Sequence, residues 1–192
     1  IHIPKTAGTS IRRVLAPWCV KPAHNQYRRL LSHLPVPEDP EKAWLRIHDT
    51  ARWARLKLPR DVFDNSLKFA VVRNPYDYAV SYYEFQRGNP ASSRHAKAQG
   101  EDFPAFLERM ERKNRIKGIR QSEWVTDRSG RIIVDRILHF ERLDTEFPAL
   151  LQDLGIADAG GLPRVNTTQR EDYRSYYDRA TRQLATELLD PI

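Results

Sequence analysis

Short apolar runs alternate with amphipathic stretches along this chain. The clearest run is Leu67-Lys68-Phe69-Ala70-Val71-Val72, short and rich in β-branched residues. It predicts a central parallel strand covered on both faces. Pro75 stands where a helix would begin its first turn. Tyr78, Ala79, Tyr82, Tyr83 and Phe85 then mark an apolar side for a helix over residues 76–85. Ile1 to Ile3 reads as the end of a buried strand stopped by Pro4, and Ile11, Val14 and Leu15 start a helix. Further helices are predicted over 27–34, 50–58, 103–113 and 145–154, the last stopped by Gly155, with a helical turn over 59–64. A final helix is expected over 171–189. Residues 43–47 suggest a short strand, and 88–100 a polar loop. Residues 121–138 suggest a hairpin turning at Asp127-Arg128-Ser129-Gly130. Strands alternating with helices indicate an α/β domain with a mainly parallel sheet flanked by helices.

At 192 residues the chain is long enough for one domain with a proper core. Ile1 falls inside an apparent strand and the chain stops at Ile192, so both ends are expected to be trimmed. No signal peptide is visible, nor an apolar run long enough to span a membrane. The lone Cys19 excludes an intrachain disulfide and fits a reducing compartment. No Cys/His cluster has zinc spacing, so a metal site is not expected. The net charge of +7 suits an anionic small molecule, a polysaccharide or an anionic surface. Basic residues are interspersed with acids, and no zinc finger, basic heptad region or RNA-binding aromatic motif is present. Nucleic acid is therefore not the expected partner.

Two strand–helix junctions carry the candidate chemistry. In Pro4-Lys5-Thr6-Ala7-Gly8-Thr9-Ser10 a loop of small and hydroxyl residues leads into a helix. Unpaired N–H groups at the positive end of the helix dipole bind phosphate-like anions. Lys5 adds a full charge, and Thr6, Thr9 and Ser10 add hydroxyl donors, although Thr9 or Ser10 could equally cap the helix. The loop is not the nucleotide-binding G-x-x-x-x-G-K-[ST], because Lys5 precedes Gly8. At the second junction Arg73 ends the strand and Ser81 lies two turns into the next helix, so the two could grip one phosphate. Alternatively, Arg73 pairs with Asp77, and Ser81 is a buried helix hydroxyl.

The first loop resembles the 5′-phosphosulfate-binding loop of sulfotransferases that use 3′-phosphoadenosine 5′-phosphosulfate (PAPS). Phe69 to Tyr83 is similar to the 3′-phosphate-binding segment of the same enzymes. His48-Asp49-Thr50-Ala51 resembles the bacterial and polysaccharide-modifying branch, which includes the heparan sulfate and chondroitin sulfotransferases. Phe140-Glu141-Arg142-Leu143 and the stretch from Leu162 to Arg170, with Tyr173, extend the likeness over nearly the whole chain. The resemblance implies a P-loop-like three-layer fold related to nucleotide kinases. It also implies PAPS as donor, no required metal, and a hydroxyl acceptor, most naturally a carbohydrate.

On that reading Lys5 stabilises the bridging oxygen, and the backbone from Ala7 through Gly8, Thr9 and Ser10 holds the 5′-phosphate, with Thr6 assisting. Arg73 and Ser81 hold the 3′-phosphate. Asn166, Thr168 and Arg170 lie in a loop that could close over the nucleotide, or simply start a helix. His48 is the candidate general base, since imidazole titrates near neutrality and the uronyl 2-O-sulfotransferases carry a histidine base there. Glu84 is the fallback base, and His2 reads as structural. The run Tyr173, Tyr176, Tyr177 reads as a packing face; Trp44, Trp53 and Trp124 could line an acceptor cleft or pack in the core. Two other classes stay open: a P-loop-like kinase or NTPase, and a non-catalytic module that binds nucleotides or anionic glycans.

Overall fold

The computed structural model describes residues 1–21, 25–91, 94–113, 120–156, 160–163, 165 and 170–189, with the backbone alone for 111–113. Its centre is a pair of parallel strands, β1 (Phe69–Val72) and β2 (Arg136–His139). They pair in the register Phe69 with Arg136 through Val72 with His139. A parallel pair needs a long crossover, and here it carries α5 (Pro75–Gly88), α6 (His95–Gln99), α7 (Phe103–Lys113) and α8 (Ser122–Val125).

Alternate residues of β1 feed different apolar clusters, as the pleat requires. Ala70 and Val72 pack with Tyr78, Ala79 and Tyr83 of α5 and with Phe106 and Leu107 of α7. Ala185 and Leu188 of α10 (Arg179–Leu188) complete that side. Val71 and Leu138 pack with Ile11 and Val14 of α1 (Gly8–Leu15), and with Phe147, Leu150 and Leu151 of α9 (Leu143–Asp153). A β1 strand apolar on both faces thus finds helices on both faces. Three shorter helices, α2 (Gln26–Leu31), α3 (Ala51–Lys57) and α4 (Arg60–Asn65), lie between α1 and β1 in the chain.

Helix ends follow local chemistry. Asn74 caps α5 by accepting from the amides of Tyr76 and Asp77, with Pro75 in the first turn, and Thr50 caps α3 through the Trp53 amide. Gly155 ends α9 in the left-handed region (φ 68°). The Gly155 amide donates to Gln152 and that of Ile156 to Leu151, the two bonds of a Schellman stop.

Several expectations are corrected. No strand forms at Ile1 to Ile3. The Ile1 amine donates to the Phe69 carbonyl (2.6 Å) and Ile3 is fully buried, but a single hydrogen bond is not a ladder. No strand forms over residues 43–47 either, where Leu45 and Ile47 are exposed and have no neighbouring strand. The expected hairpin shrinks to one bridge, Thr126 with Ile132. Its first arm becomes α8, because Trp124 and Val125 are buried in the core from a helical turn. Its second arm becomes β2, because pairing with β1 buries Leu138. The polar loop at 88–100 contains α6, anchored by fully buried Ala98. The last predicted helix is interrupted. A 3₁₀ turn at Tyr173–Tyr176 precedes extended Tyr177, and the Asp178 carboxylate then caps α10 through the Thr181 amide.

Candidate active site

The first helix begins earlier than its apolar pattern suggests, at Gly8, so the loop and the helix N-terminus are one structure. Lys5 (φ 65°) and Ala7 (φ 62°) both adopt left-handed backbone. Strain of this kind in residues other than glycine is held only where the surroundings enforce it, and it clusters at ligand sites. The first amides of an α-helix have no partner within it, and here they open onto a cavity of about 720 Å³.

The cavity brings together Lys5, Ala7, Gly8, Thr9 and Ser10 from the loop, Arg73 and Ser81 from the second junction, His2, His48 and Arg170. Thr6 is not part of this wall. Its hydroxyl is buried and donates to the Ile3 carbonyl (2.8 Å), so its side chain braces the loop rather than reaching a ligand. Asn166 and Thr168 lie outside the described residues.

Arg73 joins the two junctions. Its Nη1 donates to the Lys5 carbonyl (3.0 Å) and to Ser81 Oγ (3.1 Å), while Nε donates to Asp77 (2.8 Å). The Arg73–Asp77 pair and the buried Ser81 hydroxyl of the second alternative are both present, and Arg73 also donates to that hydroxyl. Its guanidinium also lies over the Phe140 ring, 4.0 Å from the centroid. Arg170 reaches across from the C-terminal part of the chain to pair with the other oxygen of Asp77. The ammonium of Lys5 sits over Phe85 at 4.2 Å. Burial lowers its pKa to about 8, helped by the nearby charges of Arg73 and Arg170. Three cations so close favour a nearby anion; Asp77 pairs with two of them, and Glu141 and Asp144 also line the cavity.

His48, three residues before α3, lines the same cavity. Its Nδ1 is 3.2 Å from the His2 carbonyl. A carbonyl can only accept, so Nδ1 carries the hydrogen, and in the neutral ring Nε2 holds the lone pair a general base needs. The neighbouring Asp49 does not orient the imidazole. It is buried and holds the Arg46 amide and side chain, each at 2.8 Å. The His2 ring lies 4.7 Å from that of His48. Burial first, then His48, lowers the His2 pKa to about 4, so it stays neutral in ordinary conditions.

Glu84 is not at the cavity. It accepts from the Tyr176 hydroxyl (3.2 Å) and pairs with Arg87 (3.4 Å), which gives it a packing role. Tyr176 and Tyr177 likewise pack edge-on against Phe103, as a packing face should. Trp124 is buried in the core, and neither Trp44 nor Trp53 lines the cavity.

Sequence reasoning missed Phe85, Phe140, Glu141 and Asp144 as cavity residues, and treated His2 as structural only. Phe85 belongs to the predicted apolar side of α5, but nothing in the pattern distinguishes a core position from a cavity wall. Among the described residues no group of three His, Cys, Asp or Glu side chains could hold a metal, and no helix is long and apolar enough to cross a membrane.

The arrangement offers positive charge and helix amides to an anionic group. A buried Arg170 Nη1 has no hydrogen-bond acceptor among the described residues, an open position for an anionic oxygen. Searches of curated proteins and of solved structures returned no match. The sequence pattern of the sulfotransferase family, by contrast, matches residues 1–192. Two anion-receptive junctions tied together by one arginine are what that match spans, and the chain belongs to the sulfotransferase family.

Proposed function

We propose that the chain transfers a sulfuryl group from PAPS to a hydroxyl of a carbohydrate acceptor, within a P-loop-like three-layer fold. The observation that carries this reading is the bond from Arg73 Nη1 to the Lys5 carbonyl (3.0 Å). It joins residues 68 positions apart and so sets the α1 N-terminus and the end of β1 on one cavity. Helices packed on both faces of β1 support the layered fold.

The donor would supply an activated sulfuryl group and a phosphate leaving group. The α1 amides at Gly8, Thr9 and Ser10 would hold its 5′ end, and Arg73, Ser81 and Arg170 its 3′-phosphate. Lys5 offsets negative charge where it accumulates as the bond to sulfur breaks, and such fixed charges are among the largest catalytic contributions. His48 Nε2 takes the acceptor proton while the acceptor oxygen attacks in line. The sequence around His48, similar to that of the uronyl 2-O-sulfotransferases, and the net charge of +7 favour a carbohydrate, including an anionic polysaccharide. Neither nucleic acid nor a metal has a part in this scheme.

The test is calorimetric titration with 3′-phosphoadenosine 5′-phosphate, without metal, comparing wild type with Arg73→Ala. Binding that is lost in the variant, and that ATP does not reproduce, is expected. Preference for Mg·ATP would overturn the reading in favour of a kinase. Tight binding with no sulfation of any glycan in a panel would point to a non-catalytic module.

A further inference from the structure

Asp77 lies in the first turn of α5, and its two carboxylate oxygens are divided between two arginines. Oδ2 accepts from Arg73 Nε and lies 2.8 Å from Arg73 Nη2, while Oδ1 accepts from Arg170 Nη2. The three side chains are 14, 10 and 14 % exposed in the order Asp77, Arg73, Arg170, so this is a largely covered triad rather than a surface pair.

The two arginines differ in what they have left to offer. Arg73 is engaged at four of its five N–H groups, Nε and one of Nη2 by Asp77 and both of Nη1 by the Lys5 carbonyl and Ser81 Oγ, which leaves the second Nη2 hydrogen for a ligand. Arg170 Nη1, by contrast, is buried with no acceptor among the described residues. A buried N–H without an acceptor is costly, and this one belongs to a residue on the cavity wall. Two guanidinium groups also repel one another. A carboxylate between them cancels one charge and offers each a separate oxygen.

We propose that Asp77 is a positioning residue for the donor's 3′-phosphate. It holds Arg170 against Arg73 so that the unengaged edge of Arg170 and the Ser81–Arg73 pair act on one anion. This rests on reading the cavity as a nucleotide site. Arg170 comes from a segment 93 residues away, and Asp77 is what ties it to the β1–α5 junction. An amide cannot replace the carboxylate, because Asn offers one oxygen and turns an NH2 donor towards the second guanidinium. The competing account is that Asp77 only stabilises the start of α5, where an acidic residue suits the helix dipole. That role would affect stability without changing the discrimination between ligands.

The experiment measures dissociation constants of 3′-phosphoadenosine 5′-phosphate and of adenosine 5′-phosphate by calorimetry. Wild type is compared with Asp77→Asn and Asp77→Glu, with thermal melts to confirm folding. Asp77→Asn is expected to reduce the preference for the 3′-phosphorylated nucleotide about tenfold or more, with adenosine 5′-phosphate binding held within about twofold. Asp77→Glu, which keeps the charge, is expected to retain most of the preference. An unchanged preference in folded Asp77→Asn overturns the proposal while leaving the nucleotide site standing, as does equal weakening of both nucleotides. Wild type that binds neither nucleotide overturns the site itself, and this proposal with it. If Asp77→Asn does not fold, Asp77→Ser decides by the same ratio.

Discussion

The imidazole of His2 occupies the space a side chain on Gly8 would need. A Cβ built on Gly8 would lie 1.9 Å from His2 Nε2 and 2.0 Å from its Cδ2. Gly8 is therefore required by close approach. The same ring lies 4.7 Å from His48, so His2 is wedged between the anion loop and the candidate base. Gly8→Ala is expected to displace His2 and lower stability by about 1–3 kcal/mol through overpacking. Calorimetry should also find weaker binding of 3′-phosphoadenosine 5′-phosphate. Adding His2→Ala to Gly8→Ala should restore much of the loss, and failure of that rescue would count against the wedge.

Lys5 makes ligand binding depend on pH in a defined direction. Burial, with Arg73 and Arg170 nearby, lowers its pKa from 10.5 to about 8. Between those values the unfolded chain binds more protons than the folded one, so stability of the ligand-free protein should rise with pH across that window. An anion beside Lys5 favours the charged form. Nucleotide affinity should therefore fall as pH rises through about 8, with proton uptake on binding. Titrations in buffers of different ionisation enthalpy would measure that uptake, and Lys5→Met should abolish it.

If His48 is the base, its removal should act on turnover and not on donor binding. His48→Ala is expected to lower kcat by about 10²–10⁴. The affinity for 3′-phosphoadenosine 5′-phosphate should stay close to that of wild type. Turnover retained within about tenfold in the variant would assign the base elsewhere.

Away from the cavity, Lys57 is fully buried, pairs with Glu38 and donates to the Leu31 carbonyl (2.9 Å). It fixes the connection between α2 and α3 to the body of the protein. Lys57→Ala would strand a Glu38 side chain that is 10 % exposed, and should cost about 3–5 kcal/mol. Lys57→Met with Glu38→Gln should recover a good part of this in a thermal melt, because no uncompensated charge then remains.

Both junctions were legible in the sequence because their chemistry is local. Pro75 and Ser81 are read within a few residues of Arg73, and the small and hydroxyl residues before Ile11 mark a helix start to within one turn, although α1 begins at Gly8 with Ala7 at its cap position and neither Thr9 nor Ser10 capping it. The apolar runs likewise placed β1, α3, α5, α7 and α9, because periodic burial leaves its mark along one segment. What the sequence by itself determined was the set of candidate anion-binding parts and the helices and strand that carry them. The tertiary structure alone decided which parts meet. It turned the expected hairpin into α8 and β2, placed His2 against Gly8 and His48, took Glu84 to Tyr176, and brought Arg170 to Asp77. These pairings join residues tens of positions apart, and no periodicity encodes them. They follow from how the covered faces of β1 pack and from where buried charges can find partners.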